Sequence, residues 1–177
     1  NQPVLYGDLP GTWVWSLLID HEGGLWVTML DGGVGYLAPG WNDTSRYTHI
    51  PDDPASLSDS IVTAMARGHD GRIWVGERDG RIDKLDPATG KVEHVLSGLS
   101  GDVLGMTEDA RNRLWINVQG RLYRYTAGQP PLQADPKGRW LKHPLEVEPG
   151  PDGKMYVRDF GKGLFQVDQE TMAVTPV

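Results

Sequence analysis

Residues 70–80 read DGRIWVGERDG: a tight turn at Asp70-Gly71, a short apolar strand centred on Trp74, and a second turn at Asp79-Gly80. Alone the stretch is the edge of any β-hairpin. Its reading decides the fold because related stretches recur along the chain. "DHEGGLWVTMLDGG" places Trp26, "DARNRLWINVQG" places Trp115 and "GPDGKMYVRDFG" places Tyr156 in the same slot. The four aromatics stand 48, 41 and 41 residues apart, the roughly 40–50-residue period of four-stranded propeller blades.

The register reaches beyond the aromatic. Twelve residues earlier stand Val14, Val62 and Val103, with Pro144 departing from the pattern. Three residues earlier stand Gly23, Gly71, Asn112 and Gly153, the residue types that accept positive φ at low cost. Six residues earlier stand Asp20, Gly68, Asp109 and Gly150; an Asp there can bond the turn amides that follow. In the second repeat the spacing predicts strands at Ile61–Arg67, Arg72–Glu77, Arg81–Leu85 and Val92–Leu96, joined by turn-rich connections. A four-stranded meander that cannot bury both faces must stack on its neighbours, so the slot aromatic is expected between blades. The blades fall at roughly 11–51, 57–97, 99–137 and 140–177, in a single propeller segment. The first repeat carries a loop insertion with Trp41.

Composition agrees. Gly and Pro supply 23 and 13 of 177 residues, too many for a helical bundle, and almost no helix is expected. The formal charge of −7 opposes a phosphate backbone, so nucleic acid is not an expected partner. No basic run suits an anionic membrane surface. The absence of cysteine excludes disulfides, thiolate metal sites and cysteine nucleophiles. No apolar run approaches the roughly 20 residues of a membrane span. The chain opens at Asn1 without a Met or signal peptide, and it is read as a piece of something longer.

"LSDSIVTAMARGHDGRIWVGERDGRIDKLDPATGKVEHV" resembles a two-component regulator propeller repeat. The resemblance rests on Leu57-Ser58-Asp59, Val62, Asp70-Gly71, Trp74, Gly80 and Leu85-Asp86-Pro87. The first repeat follows it through Asp20, Trp26 and Asp31-Gly32-Gly33. The third replaces the Asp-Gly pair with Arg111-Asn112, and the fourth has Tyr156 for Trp. The resemblance implies the periplasmic sensor region of a bacterial hybrid histidine kinase or membrane-bound diguanylate cyclase. It also implies a ring of seven or more blades, of which four would be a fragment with open edges. Either the four blades close alone or, the favoured expectation, the open edges pair between chains and give a homodimer. The expected signal is a small ligand, a carbohydrate among the options. The membrane would be met only through other parts of the parent chain.

Chemistry-bearing motifs are scarce. His21, His49, His69, His94 and His143 show no H-E-x-x-H spacing. No nucleophile elbow, P-loop or dinucleotide fingerprint is present. No cofactor, metal or catalytic residue is therefore expected. Most carboxylates occupy repeat-equivalent turn slots. Two kinds of residue stand out as ligand-binding candidates. Two positions after each Val slot come Ser16, Ala64, Gly105 and then Glu146, the one acidic residue on a strand expected to line the central channel. The favoured alternative is an edge-blade Glu146 that simply faces water. Trp13 and Trp15, expected on one face of the first strand, and Trp41 could stack on a sugar or grip a partner. Blade packing competes with that role, and Trp140 in the loop entering the fourth blade belongs to the same group. The function that follows is a non-catalytic sensory module. The alternatives are an enzyme on a propeller scaffold, such as a lyase or glycosidase, and a pure interaction scaffold.

Overall fold

A computed structural model of the chain describes residues 13–30, 32–39 and 44–177. The described residues are all-β, with one 3-10 turn at Arg78–Gly80 among them. The chain forms two compact units, residues 1–102 and 103–177.

In the first unit, β1 (Val14–Ile19), β2 (Leu25–Met29), β3 (Gly33–Leu37) and β4 (Thr44–Tyr47) make one antiparallel meander. β5 (Val62–Arg67), β6 (Ile73–Glu77), β7 (Ile82–Leu85) and β8 (Val92–Leu96) make a second. The second unit repeats this. β9 (Val103–Glu108), β10 (Leu114–Val118), β11 (Arg121–Tyr125) and β12 (Leu132–Gln133) form one sheet. β13 (Pro144–Pro149), β14 (Lys154–Asp159), β15 (Gly163–Asp168) and β16 (Val174–Pro176) form the other. The strands of the second repeat lie within a residue of the positions its sequence predicts.

The repeated residues build the same local geometry each time. Gly23, Gly71, Asn112 and Gly153 have φ of 86°, 80°, 57° and 73°, the left-handed conformation their identities suggested. Each first strand also carries an irregularity at one shared place, after Val14, Val62, Val103 and Pro144. One unpaired residue there, Trp15 in the first blade, breaks the strand alternation.

Within each unit the slot tryptophan of the leading blade is the centre of the core. Trp26 is fully buried, 4.5 Å from Tyr36 and 5.9 Å from Tyr47 between ring centroids. It packs in one cluster with Leu57, Val62, Ile73 and Val75 of the next blade. Trp115 does the same with Val147, Met155 and Val157. Burying a ring of this size removes roughly 200 Å² from water and stabilises by about 5 kcal/mol.

The turns divide into two ends. In the first unit, the 48–61 connection and the Arg78–Gly80 turn share one end: Gly33 N donates to Ser60 O at 3.2 Å and Arg78 N to Ile61 O at 3.1 Å. Gly80 is held tightly there, since a Cβ on it would lie 1.6 Å from the Leu99 carbonyl oxygen. The turns at Asp20–Gly24 and Gly68–Arg72 lie at the strands' other end.

Candidate functional site

The connection from β4 to β5 is long and irregular, and it is folded by its own side chains. Ser56 Oγ accepts from Ile50 N at 2.9 Å and donates to Asp53 O at 2.9 Å. Leu57 drops into the core at 1 % exposure. Ser58 is then fastened to the blade: its amide and hydroxyl donate to Asp83 Oδ2 and Oδ1 at 2.7 and 2.8 Å. Asp83 lies on β7 and is fully buried. The fourth blade uses the same device, with buried Asp159 Oδ2 accepting from Lys142 N and His143 N at 2.7 and 2.8 Å.

This fastening shapes a groove of about 570 Å³ lined by His49, Asp53, Leu57, Ser58, Arg81 and His94, among others. A smaller recess of about 380 Å³ adjoins it, with Asp59, Ser60 and Arg78 in its wall. Both histidines are oriented through Nδ1. His49 Nδ1 lies 2.7 Å from the Leu57 carbonyl, which can only accept, so this nitrogen carries the hydrogen. His94 Nδ1 lies 2.8 Å from Asp83 Oδ1 and 2.7 Å from Ser58 Oγ.

Serine, histidine and aspartate in mutual contact suggest nucleophilic catalysis, but the connectivity is wrong for it. A serine is activated when a histidine takes its proton on one ring nitrogen while the acid holds the other. Here Ser58 and Asp83 share Nδ1 of His94, and the serine hydrogen is directed at the carboxylate. The cluster anchors a loop and aims two imidazoles into a groove.

Below it lies Glu77 at the end of β6, fully buried, with no well-formed hydrogen bond to either carboxyl oxygen. Burial, and next the neighbouring Asp83, push its pKa up to about 9, against partial opposition from the Asp59 amide. At neutral pH Glu77 holds its proton. The equivalent positions are Met29, Val118 and Asp159, so the slot alternates between apolar and acidic along the four blades.

At the other end of the same two sheets is a pocket of about 580 Å³ lined by Asp20, His21, Tyr36, Arg72 and Asp86 among others. Its residues are mostly spent on turn structure. Asp20 Oδ1 accepts from Glu22 N and Gly24 N at 3.0 and 2.7 Å. Asp70 is bonded by Lys84 Nζ at 2.9 Å and Arg72 Nε at 2.7 Å. Partial burial works against its ionised form, yet these bonds prevail and hold the carboxyl at about 2.

The residues singled out from the sequence do not meet in either place. Glu146 is exposed and pairs across its strand with Arg158 at 3.0 Å, which keeps its carboxyl below the ordinary value. Trp13 and Trp15 are exposed at 67 % and 55 %, not packed between blades, and the strand register skips Trp15. Trp41 lies outside the described residues. Trp140 packs on the core of the second unit, 6.3 Å from Phe165 with Arg139 over its ring, so it is structural. Among the described residues no group of three His, Cys, Asp or Glu side chains is placed to hold a metal ion. The Ser58–Asp83–His94 cluster was missed because nothing in the spacing of those residues resembles a motif. The one available hint was Ser58 in the Leu-Ser-Asp lead of the second repeat.

The fold of four-stranded meanders at blade period, with a slot tryptophan between blades, defines a β-propeller segment. Residues 8–31 and 56–79 match the family model of the two-component regulator propeller. Solved structures agree on the fold. The extracellular domain of a putative one-component system from B. thetaiotaomicron matches with a TM-score of 0.71 and 19 % identity, over 93 % of this chain and 23 % of that one. The extracellular domain of a putative hybrid two-component system from the same organism matches with a TM-score of 0.68 and 18 % identity, over 89 % and 20 %. Virginiamycin B lyase from Staphylococcus aureus matches with a TM-score of 0.72 and 19 % identity, over 97 % and 56 %. The chain thus spans little more than half of the lyase and under a quarter of the two extracellular domains. No curated protein sequence matches the chain significantly.

Proposed function

We propose that the chain is a non-catalytic sensor segment of a membrane-anchored bacterial signalling protein of the two-component type. It lies in the periplasm and relays a small-molecule signal to a cytoplasmic output domain. The observation that carries this reading is the match of two blades to the two-component regulator propeller. The likeness to extracellular domains of one- and two-component systems supports the location. The groove beside Ser58 is the favoured recognition site: it combines a loop fixed by buried hydrogen bonds with oriented polar side chains. Ligand binding can bias output only by favouring one of two arrangements of the receptor.

The test uses the full-length parent in membranes. Output activity, whether phosphotransfer or cyclic dinucleotide synthesis, is measured with and without candidate ligands in wild type and in a receptor lacking residues 13–177. Ligand-dependent output that vanishes with the deletion is expected. An unchanged ligand response in the deleted receptor would overturn the reading.

A lyase is the second reading, favoured by the virginiamycin B lyase likeness over nearly the whole chain. Mass spectrometry of a streptogramin B antibiotic incubated with the chain tests it directly. The sensor reading expects an unchanged antibiotic.

A further inference from the structure

We propose that the recess at the start of β5 binds the oxyanion of an acidic ligand, a carboxylate or sulfate, through Arg78 and Arg81. This rests on the reading that the first unit recognises a small molecule. The whole chain is acidic, at −7. The recess reverses that sign: its wall holds Arg78 and Arg81 against a single carboxylate, Asp59.

Asp59 is shared by both cations. Arg78 Nη2 lies 3.6 Å from Asp59 Oδ2, and Arg81 Nη1 lies 3.4 Å from the same oxygen. The other oxygen, Oδ1, is taken by the Ile61 amide at 2.9 Å. The carboxylate side chain is 11 % exposed, while the two arginines above it are 47 % and 41 % exposed. One cation in this recess therefore has no full counter-charge, and the accessible surface is cationic.

The arginines are also held in place. Arg81 Nη1 donates to the Ser58 carbonyl at 2.9 Å, and Ser58 is itself fastened to buried Asp83. That structural task uses one nitrogen of Arg81; Nε and Nη2 have no protein acceptor among the described residues. A guanidinium edge with two free parallel donors is the shape that receives a carboxylate or sulfate bidentately. Arg78 sits on the turn where Asp79 takes φ of 60°, and its amide is tied to Ile61 O at 3.1 Å. Fixing the Arg81 guanidinium and the Arg78 backbone beforehand lowers the ordering cost of binding.

The adjoining groove completes the ligand's description. It shares His49, Ser58 and Arg81 with the recess, and beyond them its wall carries Asp52, Asp53, His94 and Ser97. Carboxylates there repel further negative charge and accept hydrogen bonds from hydroxyls. The fitting molecule carries its acid at one end and neutral hydroxyls along the rest, the chemistry of a polyhydroxy acid.

The probes are glucuronate, sulfate and neutral glucose, with sodium chloride at matched ionic strength as the screening control. Binding to the chain is followed by calorimetry and by amide chemical shifts. Glucuronate is expected to bind with shifts concentrated at Ser58–Ser60 and Arg78–Arg81, and the Arg78→Gln/Arg81→Gln double variant is expected to weaken it at least about tenfold. Lys162→Gln is expected to leave it unchanged. Sulfate binding at the same amides shows that any oxyanion suffices; glucuronate binding alone shows a carboxylate preference, and either supports the site. Equal binding of glucose, equal affinity in the double variant, or shifts elsewhere would overturn it. Should the double variant fail to fold, Arg78→Gln keeps the test, because Asp59 at 3.6 Å is the only side-chain partner found for Arg78 among the described residues. Failure here with an intact deletion phenotype in the parent would refute the anion site and leave sensing standing. Binding here with no deletion phenotype would do the reverse.

Discussion

Asp109 Oδ2 accepts the indole N–H of Trp115 at 2.8 Å, and six residues separate them. Asp20 and Trp26 repeat the bond at the same spacing and the same length. In the second blade Gly68 stands where the aspartate would be, and the Trp74 indole nitrogen is buried without an acceptor. Lys84 occupies the ring face instead, its Nζ 4.3 Å from the centroid. Two blades thus use a carboxylate to satisfy the slot tryptophan, and one leaves it to a cation on the ring.

That difference predicts unequal costs for one substitution. Trp115→Phe removes packing and a hydrogen bond from a fully buried donor. Trp74→Phe removes packing and an unsatisfied N–H whose burial was itself unfavourable. Trp115→Phe should cost about 1–2 kcal/mol more than Trp74→Phe in urea unfolding. Equal costs would mean the Asp109 bond contributes nothing net.

Asp109 also binds Arg113 Nε at 2.8 Å, and both side chains are almost fully buried. Arg113 reaches on to Glu170 Oε1 at 2.8 Å. Asp109→Ala would leave the buried Arg113 Nε–H and the buried indole N–H without their acceptor, while Glu170 still faces the guanidinium, a loss of about 2–4 kcal/mol. Asp20 bonds Trp26 but holds no buried cation, so Asp20→Ala should cost only about 1–2 kcal/mol. Denaturant midpoints of the two variants check the ranking.

Glu77 makes stability depend on pH in a defined direction. Its folded pKa of about 9 lies far above the ordinary 4.5, so between those values the folded chain keeps a proton that the unfolded chain has released. Stability from this group is complete below pH 4.5 and falls as pH rises toward 9, by at most about 1.4 kcal/mol per pH unit. Asp70, held at about 2, is ionised in both states over that range and adds no slope. Glu77→Gln is uncharged throughout and should flatten the decline between pH 6 and 9 in urea titrations. A slope identical to wild type would mean Glu77 is ionised in the folded chain.

The fold was legible because it is written four times. Gly71 alone signals a turn; Gly23, Gly71, Asn112 and Gly153 at one offset from an aromatic fix a shared left-handed turn, and the structure shows it in every blade. The strand irregularity after Val14, Val62, Val103 and Pro144 left no such mark, because any residue can occupy the unpaired position. Exposure was misjudged for the same kind of reason. An apolar residue reads as core, and whether a neighbouring sheet covers its strand is a tertiary fact; Trp15 is bare and Trp140 is covered. The groove was illegible because Ser58, Asp83 and His94 are 25 and 11 residues apart and belong to the loop, third strand and fourth strand of a blade.

Ser58 should behave as a structural hydroxyl. With its hydrogen on Asp83 and both groups on Nδ1 of His94, it has no base to activate it. A fluorophosphonate probe is expected to leave Ser58 unlabelled. Mass-spectrometric detection of the adduct at Ser58 would restore the hydrolytic reading.

β1 sets the last prediction. It is an edge strand of its sheet, pairing with β2 on one side, and Val14, Trp15, Leu17 and Ile19 along it are all exposed. A soluble protein rarely leaves so many large apolar side chains together on one edge strand, where unpaired backbone groups add a template for pairing. The chain should therefore self-associate through β1, as expected of an open propeller edge. Leu17→Lys combined with Ile19→Lys places two cations on that edge and removes apolar contact without touching the core around Trp26. Sedimentation velocity should show wild type associating at tens of micromolar and the double variant monomeric, roughly a tenfold or larger loss of affinity. Its thermal midpoint at low concentration should be unchanged, because exposed side chains contribute little to folding. Association that survives both lysines would place the self-contact elsewhere.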